Sequence, residues 1–170
     1  MHASVEIRPE RPEDISAIRE VNRRAFGGEQ EANIVDALRS NGAALLSLVA
    51  VLNGQVVGHV LYSPASVGTV EGAALGPMSV LPDHQRQGIG SALVEAGNRQ
   101  RKDAGCPFIV VLGHAGFYPR FGFRAASTRA ITCGWDVPDE VFMLLVLDER
   151  RMQRVSGLAK YRDEFSTADT

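Results

Sequence analysis

Polar and apolar residues alternate at Val5, Glu6, Ile7 and Arg8, which predicts a short half-buried strand that Pro9 ends. From Pro12 the spacing changes. Ile15, Ile18, Val21 and Ala25 recur at helical intervals, with Pro12, Glu13 and Asp14 suited to a first turn and Gly27-Gly28 to a stop. Ile34, Val35 and Leu38 predict a second helix that closes near Asn41-Gly42. Residues 45–52 read as a strand, and Asn53-Gly54 predicts a type I′ hairpin turn, because both central positions need positive φ. Residues 56–62 return antiparallel, Ser63-Pro64-Ala65-Ser66 is expected to interrupt them, and residues 68–80 supply the next strand. A helix over 87–104 places Ile89, Ala92, Leu93 and Ala96 on one stripe. The apolar run 108–112 predicts a fully buried strand, parallel to its predecessor across the helical crossover. A short helix of one to two turns, a turn at Gly122, a strand from Phe123 and a last strand over 141–147 follow. Residues 129–139 are expected as loop or partial strand, and Tyr161 and Phe165 as anchors of a polar C-terminal segment. Three antiparallel strands that deliver a glycine-bearing turn to a helix make a mixed sheet of the α/β (α+β) class, not a doubly wound one.

The chain length of 170 residues suits one domain, taken as 1–170. A formal net charge of −2 argues against a nucleic-acid partner. The start, Met1-His2-Ala3-Ser4-Val5-Glu6, lacks a basic-then-apolar signal pattern. The longest apolar stretch, residues 43–52, is too short to span a bilayer, so a cytoplasmic protein without membrane contact is expected. Cys106 and Cys133 show neither C-x-x-C nor Cys/His spacing; they read as reduced packing thiols, and no metal is expected.

Candidate chemistry concentrates between residues 75 and 105. A strand ends at Val80-Leu81, Pro82 and Asp83 stop it, and Gly88 and Gly90 precede an amphipathic helix. First-turn N–H groups lack intrahelical partners and the macrodipole is positive there, so this arrangement suits a phosphate-bearing anion on the backbone of residues 86–91. A P-loop would need Gly-Lys-Ser/Thr, yet Ser91 and Ala92 follow Gly90. A dinucleotide fingerprint would need a third glycine where Leu93 stands, and an acid where Val111, Leu112 and Gly113 stand. Gln85-Arg86-Gln87-Gly88-Ile89-Gly90 instead resembles the Q/R-x-x-G-x-G/A element of the GNAT N-acetyltransferases. Some thirty residues on, Phe117-Tyr118-Pro119-Arg120-Phe121-Gly122-Phe123 resembles that family's F/Y-Y-x-K/R-x-G-F element, most like its YhbS-like subgroup. The likeness runs from about Val5 to Phe165. It departs at Leu112-Gly113 and His114, where Asn and Ala are frequent in the family, and at Pro119.

The resemblance implies the GNAT acyl-CoA N-acyltransferase fold, mostly antiparallel with a splayed parallel pair flanked by helices. It implies acetyl-CoA (coenzyme A) as co-substrate and direct acetyl transfer to a primary amine of a small molecule or protein. The pyrophosphate would lie on Gln85, Arg86, Gln87, Gly88, Ile89, Gly90 and Ser91, and the acyl and pantetheine groups along Met78, Ser79 and Val80. Tyr118 would protonate the departing thiolate as general acid. Glu29, Glu31, His59 and Glu71 are candidate bases. Glu31 is preferred because the first two helices border the acceptor site in similar enzymes, and a water chain remains open. Trp135 and Asp136 could hold a cationic amine, and Arg86, Arg99, Arg101 and Arg120 could reach phosphates. A homodimer is compatible with the family, and a non-catalytic acyl-CoA-binding module is the competing function.

Overall fold

The computed structural model describes residues 4–169, so Met1, His2 and Ala3 of the segment lacking a signal pattern, and Thr170, lie outside the described residues. A single sheet path runs β1-β2-β3-β4-β5-β8-β6, built from β1 (Glu6–Pro9), β2 (Leu46–Leu52), β3 (Gln55–Val67), β4 (Val70–Val80), β5 (Phe108–Leu112), β6 (Arg124–Ala125) and β8 (Phe142–Val146). All pairings on this path are antiparallel except β4 with β5. A small annex, β7 (Ile131–Thr132) against β9 (Gly157–Lys160), is parallel and joins the end of β3 through β9.

Helices cover both faces. Helices α1 (Ile15–Phe26) and α2 (Gln30–Ser40) lie between β1 and β2 in the chain, α3 (Ile89–Asp103) crosses from β4 to β5, and α4 (Glu149–Met152) is one turn. Adjacent residues of a strand point to opposite faces. A Cβ on Gly58 would meet Leu93 and Ile89 of α3, whereas His59 reaches Asn22 of α1, so α1 and α3 flank opposite faces. That is why β3 is buried on both sides over most of its length. On the α3 face, Gly97 admits the ring of fully buried Tyr62, whose hydroxyl donates to Asn98 Oδ1 at 2.8 Å.

Most predicted elements form. Asn53 (φ 51°) and Gly54 (φ 77°) make the left-handed turn their sequence demands. Three readings need correction. Strand β3 is not interrupted at Ser63-Pro64-Ala65-Ser66 but continues to Val67. Pro64 lies where β2 has ended at Tyr62 and β9 has not yet begun at Ser66, so a missing N–H is tolerated on that flank. Helix α3 begins at Ile89 rather than residue 87, because Gly88 takes φ 86°. The strand expected from Phe123 starts one residue later and spans Arg124–Ala125, while the short helix before it forms as a 3₁₀ helix, Tyr118–Phe121.

One irregularity matters for the site. Between Val60↔Met78 and Tyr62↔Leu75, β3 spends one residue where β4 spends two, Gly76 and Pro77. This is a β-bulge, which bends a strand locally. The β4–β5 pairing runs through Ala73↔Ile109, Ala74↔Val110 and Leu75↔Val111 and stops there. Residues 76–80 of β4 therefore part from β5, giving the splayed parallel pair.

Candidate active site

A cavity of about 1370 Å³ opens at this split. Its floor is the end of β4 that has parted from β5, residues 76–80, with Leu75 beside it; one wall is the turn ahead of α3, and the opposite wall comes from α1 and α2. The segment after β5 and the loop at Trp135-Asp136 close it, with Tyr161 and Phe165 behind them.

The turn presents bare backbone. Arg86 adopts φ 63° and Gly88 φ 86°, no side chain caps α3, and the helix's first main-chain hydrogen bond runs from Ala92 N–H to Gly88 O. The N–H groups of residues 86–91 precede that bond, at the positive end of the helix dipole. Gln85 ties the turn to the strand by donating from Nε2 to Val80 O at 3.0 Å. Met78, Ser79, Val80, Gln85, Arg86, Gly88, Gly90 and Ser91 all line the cavity. Gln87 and Ile89 do not: the Gln87 amide reaches Asp83 O, and the Ile89 side chain is in the core. For these two the expectation rests on main-chain groups.

Tyr118 lines the same cavity although only 6 % exposed. Its ring sits edge-on to Phe117 and Phe123 and fills the space where a Cβ on Gly113 would come within 2.3 Å of it. Glycine at 113 is thus what seats the tyrosine. Burial pushes the Tyr118 phenol up to about 12, so it keeps its proton throughout the neutral range.

Glu31, in the first turn of α2, also lines the cavity, and its Oε2 is buried without a hydrogen-bond partner. The other base candidates stand elsewhere. Glu29 is paired with Arg19 at the surface, and Glu71 sits at the far end of β4 opposite Ser66. His59 is fully buried between Asn22 and Ser47, and burial depresses its pKa to about 4. Arg86 and Arg120 line the cavity, as do the acids Glu31 and Asp136. Arg120 lies over the Phe117 ring at 4.8 Å, whereas Arg99 and Arg101 of α3 are not cavity residues. Trp135, Tyr161 and Phe165 make successive edge contacts at 5.0 and 5.3 Å. The two expected C-terminal anchors are therefore cavity walls as well. Tyr161 Oη is buried without a partner, and nothing in the local pattern distinguished it from a packing tyrosine.

Cys106 Sγ donates to Phe108 O, and burial pushes the thiol up, which fits packing rather than nucleophilic chemistry. Among the described residues no cluster of metal-ligating side chains forms, and no helix is long and apolar enough to cross a membrane.

A bulged strand parting from its parallel neighbour above an uncapped glycine turn places the chain among the acyl-CoA N-acyltransferase folds. Residues 44–125 match the family described as "Acetyltransferase (GNAT) domain". The chain is 32 % identical over 163 residues to the "uncharacterized N-acetyltransferase YhbS" of Escherichia coli K12, covering 94 % of this chain and 98 % of that one. It is 37 % identical over 134 residues to the "uncharacterized N-acetyltransferase YjhQ" of the same strain, covering 75 % and 74 %. The crystal structure of E. coli YhbS in complex with CoA superposes with a TM-score of 0.93 at 31 % identity, covering 98 % of this chain and 94 % of that one. A Brucella melitensis GNAT family acetyltransferase in complex with acetyl-CoA gives 0.80 at 38 % identity, covering 96 % and 99 %. The chain belongs to the GNAT N-acetyltransferase family, and is an enzyme of that acyltransferase class.

Proposed function

We propose that this enzyme moves an acetyl group from acetyl-CoA to a primary amine of a small molecule or a protein by direct attack. The observation that carries the proposal is one cavity lined by three kinds of group. The turn with the bare N–H groups of residues 86–91, the buried Tyr118, and Glu31 with its unpartnered buried oxygen all line it. The pyrophosphate belongs on the turn, where backbone donors and Arg86 meet an anion. The main-chain groups of Met78, Ser79 and Val80, free of β5, suit the acetyl carbonyl and the pantetheine amides.

The amine nitrogen attacks the thioester carbon, the C–S bond breaks, and the departing sulfur takes the Tyr118 proton. The ammonium proton leaves to Glu31 or to water. A phenol held protonated by burial is in the state this step needs. Positioning amine and thioester in one cavity supplies much of the rate. Support also comes from the two relatives whose structures contain CoA and acetyl-CoA.

Calorimetry with acetyl-CoA followed by thiol release over an amine panel tests the reading. Binding and amine-dependent release are expected. Folded protein that gives no heat with acetyl-, propionyl- or free CoA would refute it, and binding without turnover on any amine would leave a non-catalytic acyl-CoA-binding module.

A further inference from the structure

Five side chains form one hydrogen-bonded line behind the cavity wall: Ser79 of β4, Asn22 of α1, His59 of β3, Ser47 of β2, and Glu10 after β1. Its hydrogen-bond directions follow from the chemistry at its ends. Glu10 is held by Arg39 through Nε at 2.8 Å and Nη2 at 2.7 Å, so its carboxylate only accepts. Ser47 must therefore donate to Glu10 Oε1, at 2.7 Å. A hydroxyl has one hydrogen, so Ser47 accepts from His59 Nε2–H, at 2.9 Å. The neutral ring then offers a lone pair at Nδ1, which takes a hydrogen of the Asn22 amide at 3.3 Å. A second bond confirms that amide's orientation independently: Asn22 Nδ2 also donates to Ile18 O, at 3.0 Å. Asn22 Oδ1 is left facing Ser79, whose hydroxyl donates to it at 3.0 Å.

Ser79 has thus committed its only hydrogen. It lines the cavity and can offer the cavity nothing but lone pairs. The register puts it opposite His59, on the α1 face, the side from which Ala25 and Glu31 also line the cavity. Its neighbour Met78 points the other way, toward Gly90 of α3. Ser79 therefore stands on the side away from the phosphate turn, where an acceptor would approach.

We propose that Ser79 is an obligate hydrogen-bond acceptor that receives an N–H of the acceptor amine, and that Asn22, His59 and Ser47 are positioning residues that hold it so. The inference rests on the acetyl-transfer reading above. An ordinary serine rotates to suit a donor or an acceptor; this one selects ligands with an N–H to give and disfavours a carboxylate or carbonyl at the same spot. The line orients rather than conducts, because an amide side chain does not readily take up and release protons.

The test uses the full chain with acetyl-CoA and three probe amines, 2-phenylethylamine, spermidine and a peptide with a free N-terminal amine, followed by thiol release. With whichever the wild type turns over, Ser79→Ala should lower kcat/KM for the amine about 10- to 100-fold, as loss of a bond to a charged donor would. Acetyl-CoA affinity by calorimetry should stay unchanged, and Ser79→Thr should recover part of the loss. Asn22→Leu, outside the cavity, should weaken the amine and not acetyl-CoA, whereas a merely structural role would affect both ligands alike. Imidazole ¹⁵N shifts should show His59 neutral with its hydrogen on Nε2. Unchanged amine kinetics in Ser79→Ala, or a hydrogen on His59 Nδ1, overturns the proposal while acetyl transfer stands. No turnover by the wild type with any of the amines overturns both.

Discussion

Lowering the pH from 7 toward 5 should destabilise the fold through His59 before its carboxylates begin to matter. The imidazole is fully buried, and burial is the main force that depresses its pKa from 6.5 to about 4. Arg39 pushes the same way and the Glu10 carboxylate opposes; these are the charges that face it. In the unfolded chain the ring titrates near 6.5. Between that value and about 4 the unfolded state binds more protons, so stability is complete above the window and falls as pH drops through it. A separation of about 2.5 pH units at 1.36 kcal/mol each corresponds to about 3 kcal/mol, of which about 2 is lost by pH 4.5. That is a large fraction of the 5–15 kcal/mol by which domains are stable. Urea unfolding of the wild type and His59→Gln at pH 7, 5.5 and 4.5 isolates the effect, since the carboxylates held low by arginines, Glu10 by Arg39, Asp14 by Arg8 and Glu164 by Arg162, are common to both proteins. The wild type should lose about 2 kcal/mol more than the variant over that range. Parallel curves, or an NMR titration of His59 near 6.5, would refute the reasoning.

Further outcomes follow from the site and the packing around it. Tyr118→Phe should lower kcat roughly 10²- to 10⁴-fold with acetyl-CoA affinity unchanged, as removal of a general acid does; an unchanged kcat would reassign the tyrosine to packing. Gly88→Glu should abolish acetyl-CoA binding in calorimetry while circular dichroism stays native. The added Cβ meets nothing within 4 Å, φ 86° costs about 1–2 kcal/mol, and the charge occupies the anion position. Gly97→Ala sets two effects against each other. Helix propensity favours alanine by about 1 kcal/mol, but the new Cβ would lie 2.3 Å from the Tyr62 hydroxyl in a fully packed place. Overpacking wins, and chemical denaturation should show a loss of about 2 kcal/mol or more; a stabilised variant would mean the helix can shift.

Much was legible because it depends on local rules. Asn53-Gly54 forces its hairpin turn, and the glycines at 88 and 90 announce a backbone that can approach a ligand. The apolar run 108–112 has the length and composition of a buried strand, and two motifs in the right order carry the family in the sequence itself. Pro64 misled because a proline's cost depends on which neighbour occupies that edge of the strand, and neighbours come from distant sequence. Strand β9 left no periodic trace in four residues of which only Ala159 is buried.

What the chain's order of residues determined by itself was the succession of elements and the chemistry of the phosphate turn, since both follow from propensities and spacings within a few residues. The split between β4 and β5, the seat of Tyr118 on Gly113, and the directed line from Ser79 to Glu10 were decided only in three dimensions. Each depends on groups that are distant in the chain and meet only when the sheet closes, and a hydrogen bond's direction is set by the partners it meets there.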